Sequence, residues 1–172
     1  MVTSIESVSF AVHSDGHYHV DMGRDGIPLT IRINNSEMGY ATPNSGSLKY
    51  GESVELWAYP NEGYQFDHWE INGKRTNYSC TVVYNVTEAV DALAVFEVEQ
   101  LKVSLDFDAS MGIIAGVGNG TYNYGENIHI QAIPKAGYLF DHWEIDGKSY
   151  LNSEMTLTIY DDTKIKAIFV KS

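Results

Sequence analysis

Residues 63–74 read GYQFDHWEINGK, and residues 137–148 read GYLFDHWEIDGK. Ten of the twelve positions agree, and the two tryptophans lie 143 − 69 = 74 residues apart. A block of this length returning at a fixed spacing marks an internal repeat, so the chain reads as two copies of one unit. The agreement extends outward. Tyr50-Gly51-Glu52 returns as Tyr124-Gly125-Glu126, Ala58 and Pro60 as Ala132 and Pro134, and Ala94-Val95-Phe96 as Ala167-Ile168-Phe169. Residues present in both copies are expected to serve the fold. Those in a single copy are where a function would show.

Around the block, apolar residues recur with period two, the mark of half-buried strands. Leu29, Ile31 and Ile33 alternate with Thr30 and Arg32, as Val103, Leu105 and Phe107 do with Ser104, Asp106 and Asp108. Val54, Leu56 and Ala58, matched by Ile128, Ile130 and Ala132, form a second strand and leave Trp57 and Tyr59 on its other face. Within the block the alternation breaks: Tyr64 and Phe66 share one parity, Trp69 and Ile71 the other. All four can face one core only if a residue is inserted near Asp67-His68, which predicts a β-bulge in both copies. Asn72-Gly73 and Asp146-Gly147 have the composition of type I′ hairpin turns. Short strands are expected around Val82 and Tyr84 and around Leu157 and Ile159, and the closing strands end in Phe96 and Phe169. Loops are read at 39–47 and 112–121. No helical period of useful length is present, although 86–92 has room for one turn.

The expected fold is therefore all-β, two small tandem modules of five or six short antiparallel strands each, at 29–98 and 101–172. A short linker at 97–101 would keep the modules end to end. The leader 1–28 reads as a β-hairpin, with Val8, Phe10 and Val12 alternating, a turn at Ser14-Asp15-Gly16, and Tyr18 and Val20 resuming the alternation. Modules this small have thin cores, which large flat aromatic side chains fill efficiently.

Composition narrows the function classes. The net charge of −12 argues against nucleic acid and against anionic membrane surfaces, both of which need a basic face. No D-x-[DN]-x-[DN]-G calcium loop occurs. The one cysteine, Cys80, cannot form a disulfide within the chain; aligned with Met155, it reads as a packed apolar thiol. No run approaches the ~18 apolar residues of a membrane span. The opening MVTSIESVSF lacks the basic region and apolar core of a signal peptide. Two readings follow, a cytoplasmic protein or a segment of a longer exported chain, and the second fits better because a pair of repeats behind a leader looks like a slice of an array.

A strand, then Y-G-E, an apolar strand ending A-x-P, G-Y-x-F-x-x-W, a glycine turn and a final A-x-F together resemble the internalin-type B repeat and its divergent relatives. The resemblance covers residues 29–97 and 101–170. It implies a small module of β-grasp or compact sandwich type, used without catalysis as a stalk, spacer or adhesive unit in bacterial surface and secreted proteins. The internalin repeat carries a short helix for which this sequence offers no period, so an all-β variant is expected. The signature residues Gly63, Tyr64, Phe66 and Trp69, with Gly137, Tyr138, Phe140 and Trp143, are then core and turn positions. The implied location is extracellular or at the cell surface, and the implied partners are a host or cell-wall protein or a glycan.

Three constellations bear on chemistry. Asp67-His68 and Asp141-His142 set carboxylates beside imidazoles, the ingredients of acid–base work; neighbours on a strand face opposite ways, and no nucleophile accompanies both copies, so a structural role is the simpler reading. His13, His17 and His19, near Asp21, are the one histidine cluster and would suit zinc or nickel if the hairpin gathered them; exposed hairpin histidines are more often plain polar residues. Gly116-x-Gly118-x-Gly120 lacks the Gly-Lys-Ser/Thr ending and the following helix of a phosphate loop. Trp57 and Tyr59 stand apart, because the second copy has Gln131 and Ile133 there. Outward aromatics in one copy only are candidate contacts for the leader, the neighbouring module or a ligand such as a sugar ring. No cofactor is implied.

Overall fold

The computed structural model describes residues 9–12, 18–21 and 26–172, the first two segments as strands alone. β1 (Ser9–Val12) and β2 (Tyr18–Asp21) pair antiparallel, so the leader contains the expected hairpin ladder. Each copy of the repeat then contributes eight strands. In the first they are β3 (Ile27–Ile33), β4 (Gly39–Thr42), β5 (Gly46–Leu48), β6 (Val54–Pro60), β7 (Tyr64–Ile71), β8 (Lys74–Thr76), β9 (Cys80–Val83) and β10 (Val90–Val98). In the second they are β11 (Gln100–Phe107), β12 (Gly112–Ala115), β13 (Gly120–Asn123), β14 (Asn127–Pro134), β15 (Tyr138–Ile145), β16 (Lys148–Tyr150), β17 (Glu154–Thr158) and β18 (Thr163–Lys171).

The two copies are wired identically. A five-stranded sheet runs β5-β3-β10-β7-β8 in one and β13-β11-β18-β15-β16 in the other; a three-stranded sheet runs β4-β6-β9 and β12-β14-β17. The fold is all-β, as the period-two runs required. Each copy holds eight strands where the sequence reading expects five or six, and two further features differ from it. The first and last strands of each copy lie side by side and parallel, Leu29–Ile33 beside Val90–Ala94 and Val103–Phe107 beside Thr163–Ala167. Alternation reports which face a side chain takes but not which way the neighbouring strand runs, and the intervening chain is long enough for the crossover a parallel pair needs. The segments read as loops also hold short strands, β4 and β5, then β12 and β13. Among the described residues no helix forms at 86–92, where Val90 already opens β10.

The described chain divides into two units. The first gathers the described residues up to Asn34 with Ala41–Ala58 and His68–Val95; the second gathers Asn35–Tyr40, Tyr59–Asp67 and Phe96–Ser172. In the second unit, Leu101 and Val103 of β11, Ile128, Ile130 and Ala132 of β14, Trp143 and Ile145 of β15, and Ile165, Ala167 and Phe169 of β18 close into one core. Two sheets thus sandwich a single apolar layer. The first unit buries Leu29, Val54, Leu56, Ala58, Trp69, Ala92 and Ala94 at the positions of Val103, Ile128, Ile130, Ala132, Trp143, Ile165 and Ala167, and Val90 where the second copy has Thr163.

Both block tryptophans are fully buried. A buried indole N–H needs an acceptor, and each finds a backbone carbonyl: Trp143 donates to Asn152 at 2.9 Å, Trp69 to Ser79 at 3.3 Å. The predicted bulge is present in β15, whose pairing with β18 steps from Phe140 opposite Phe169 to His142 opposite Ile168, leaving Asp141 unmatched. That step lets Phe140 contact Phe169, ring centroids 6.2 Å apart, while Trp143 faces the same core. The hairpin turns are of the predicted type, with positive φ at both central residues: Asn72 at 47° and Gly73 at 76°, Asp146 at 47° and Gly147 at 78°.

Candidate functional site

The acid–base candidates sit among neighbouring carboxylates in both copies. His142 donates from Nδ1 to the Asp141 carboxylate at 2.6 Å, a contact that the bulge at Asp141 makes reachable. The buried His68 faces Glu70, Nε2 to Oε1 at 3.4 Å, as His142 faces Glu144, Nε2 to Oε1 at 3.7 Å. Both copies thus set the imidazole beside the glutamate two residues on, a pairing along one strand that needs no catalytic role. Nearby, a cleft of the second unit is lined by Asp106, Glu144, Lys164 and Lys166. Lys166 meets Glu144 at 2.8 Å and Lys164 meets Asp106 at 3.3 Å, while Asp146, also on the lining, accepts the Lys164 N–H at 3.2 Å. The Lys166 ammonium holds the Glu144 carboxyl below the usual carboxylate range, so Glu144 stays ionised rather than poised to donate a proton.

His13 and His17 lie outside the described residues, as does the metal reading that rests on them; His19 falls on β2. Among the described residues no group of three or more His, Cys, Asp or Glu could hold a metal ion. The glycine-rich segment is a loop closed by Tyr122, whose hydroxyl accepts from the Gly118 N–H at 3.2 Å and donates to its carbonyl at 3.1 Å.

On β6, burial alternates as expected and turns Trp57 and Tyr59 outward, 40% and 38% exposed. The Trp57 indole of the first unit donates to Glu55 at 3.4 Å. In the second unit, Tyr59 stacks on Tyr40, centroids 4.9 Å apart and planes within 18°. Tyr40 escaped the sequence reading, although its place in the second copy, Ile113, pairs across the strands with Ile133, the counterpart of Tyr59. Cys80 needs a correction. It pairs with Trp57 as Glu154 pairs with Gln131, so its counterpart is Glu154 and not Met155. A one-residue slip exchanges the two faces of a strand, and Cys80 lies opposite the outward Trp57, half-buried, while Thr81 lies opposite the buried Leu56.

A seam within the second unit went unnoticed in the sequence because its parts come from different copies. Gly63 sits at φ +81°, and a Cβ placed there would lie 2.6 Å from the Tyr124 ring. The Gly63 carbonyl accepts the Glu99 N–H at 2.9 Å, and the Glu99 carbonyl accepts the Tyr124 N–H at 2.9 Å. The Tyr124 hydroxyl donates to the Glu62 carboxylate at 2.6 Å, and its ring meets Tyr160 edge-on at 5.2 Å. The Y-G-E run thus divides its labour: Tyr124 docks, Gly125 turns at φ +78°, and Glu126 accepts the Asn123 N–H at 2.9 Å to close the turn.

The hydrogen bond to Glu62, then loss of water, then the charges of Glu62 and Glu99 and the neighbouring Tyr160, push the Tyr124 phenol up to about 12 from an ordinary 10.0. A folded-state value above the unfolded one means that the seam's contribution is complete below the ordinary value and is lost as pH rises through the folded one. In an ultraviolet titration, Tyr124→Phe should remove one phenol's worth of absorbance change from the limb above the ordinary tyrosine range. Superimposable high-pH limbs for the two proteins would count against the bond.

A family model described as the divergent InlB B-repeat domain matches residues 29–100 and again residues 104–172. No curated protein and no solved structure matches the chain.

Proposed function

Since the chain belongs to the divergent InlB B-repeat family, we propose that its two modules, 29–98 and 101–172 behind the leader 1–28, serve as a non-catalytic spacer or stalk in a bacterial surface or secreted protein. Repeats of this family typically occur in such proteins and are of a kind not known to be catalytic. The observation that carries the reading is the parallel pairing of the first and last strand in each copy. Tension applied to the two ends of a module pulls those strands past one another, so their hydrogen bonds are loaded together in shear. Strands drawn apart from one end would release the same bonds one at a time.

Single-molecule pulling tests this. Stretched by its ends, the second module should rupture at several times the force needed when handles at residues 99 and 162 draw β11 and β18 apart from the same end. Equal forces in the two geometries would remove the case for a stalk that bears load.

The Tyr40–Tyr59 stack supports a second reading, adhesion to a glycan or a protein, because the other copy carries isoleucines there. Flat exposed rings suit the apolar face of a sugar. Trp57, in the first unit, is a separate candidate contact. Retention on a polysaccharide gel that falls when Tyr59 or Trp57 becomes Ala would support it; no retention on any polysaccharide or cell-wall protein would end it.

A further inference from the structure

We infer that Gly137 is the receiving half of a second seam of the same kind, and that it takes the tyrosine of a further copy of this repeat following Ser172.

The two glycines are the same position in two backbones. Gly63 has φ +81° and Gly137 φ +83°. The Gly63 carbonyl accepts from Glu99 at 2.9 Å and the Gly137 carbonyl from Ser172 at 3.0 Å, with 172 − 99 = 73, the offset of the closing strands. The turn ahead of each is closed alike, Tyr64 N–H to Asn61 at 3.1 Å and Tyr138 N–H to Lys135 at 3.0 Å. One glycine is covered by a tyrosine ring; at the other, no described atom lies within 4 Å of where a Cβ would stand. The peptide that would relay the next contact, that of Ser172, is already seated as the Glu99 peptide is.

The surroundings of Gly137 identify the occupant further. Leu139 and Val170 are partners across β15 and β18, and they are 54% and 41% exposed. Their counterparts in the first copy are Gln65 and Glu97, which bond each other at 2.7 Å. Glu62, the acceptor for the Tyr124 hydroxyl, is replaced by Ala136. Around the open glycine, then, three polar side chains have become apolar ones. Such a seat fits an aromatic ring held by its faces and by the backbone relay, with no demand on its hydroxyl. This inference stands on the seam geometry and does not depend on the chain bearing load.

The test extends the full chain by repeating residues 100–172 after Ser172, so that Ser172 takes the place of Glu99. In the present chain, Gly137→Ala meets only the left-handed backbone. In the extended chain its methyl also meets the docked ring, and the drop in urea midpoint should be about twice as large, since each of the two penalties is of similar size. A second variant does not rely on destabilisation. Ala136→Glu in the extended chain should add one phenol's worth of absorbance change to the limb above the ordinary tyrosine range, and changing the added copy's counterpart of Tyr124 to Phe should take it away again. Equal midpoint drops in the two chains, or no gain on that limb with Ala136→Glu in place, would overturn the inference. So would concentration-dependent self-association of the present chain that Gly137→Ala abolishes, because the occupant would then be a second molecule.

Discussion

Replacing Trp143 by alanine is expected to destabilise the second unit by about 3–5 kcal/mol, the range for removing a buried aromatic side chain. The ring is fully buried in the middle of the core and lies 5.2 Å from Phe140. Its loss leaves a cavity bounded by two hydrogen-bonded sheets, which limits how far the walls can collapse. It also strands the Asn152 carbonyl, which now accepts the indole N–H. Trp143→Phe should recover most of the apolar share while leaving that carbonyl without its donor. Urea unfolding followed by far-ultraviolet circular dichroism measures both, and a loss below about 1 kcal/mol for the alanine variant would place the ring outside the core. Trp69→Ala should act likewise on the first unit, where the indole is equally buried.

Gly63→Ala is the second large effect, and its informative control is Gly137→Ala. Both substitutions force an L side chain into left-handed backbone, at about 1–3 kcal/mol. Only at Gly63 does the new methyl also meet the Tyr124 ring, and displacing a packed ring adds about 1–3 kcal/mol more. The difference between the two variants therefore isolates the seam from the turn. If they lose the same stability, Tyr124 is not seated on Gly63. In the double variant Gly63→Ala with Tyr124→Ala, the added penalty should shrink, because the clash needs both partners.

Much of the fold was legible because strands impose a strict period. Val54, Leu56 and Ala58 and their second-copy counterparts are buried as their alternation demands, and the parity break between Phe140 and Trp143 foretold the bulge at Asp141. The turns were legible because only a few residues accept positive φ twice in succession. What escaped is what period two does not encode. Leu29 and Val90 alternate no differently for being parallel partners. Cys80 was matched to Met155 by a shift of 155 − 80 = 75 residues, whereas its strand keeps the 74-residue spacing of Trp57 and Gln131. One residue of slip was enough to turn a half-exposed thiol into an expected core group. The candidate sites were less legible still. Trp57 and Tyr59 were found because they break the repeat, but Tyr40, on another strand, shows its relevance only through the ring it stacks on. Tyr124 was visible as half of a duplicated Y-G-E, while its partners Gly63 and Glu62 lie some sixty residues earlier, in the other copy.

The hairpin turn after the tryptophan is Asn-Gly in one copy and Asp-Gly in the other, which bears on how the protein ages. An asparagine before glycine loses its amide readily through a cyclic imide, and the branch that reopens to aspartate gives the side chain that residue 146 already carries. The oxygen that matters to the turn survives that conversion. Asn72 Oδ1 accepts the Asp91 N–H at 2.8 Å just as Asp146 Oδ1 accepts the Lys164 N–H at 3.2 Å. The bond lost is the one from the amide nitrogen to the Ala89 carbonyl, an exposed group that water can satisfy. The second copy shows that the aspartate product keeps the turn, whereas the isoaspartate product, with an extra backbone carbon, would not fit it.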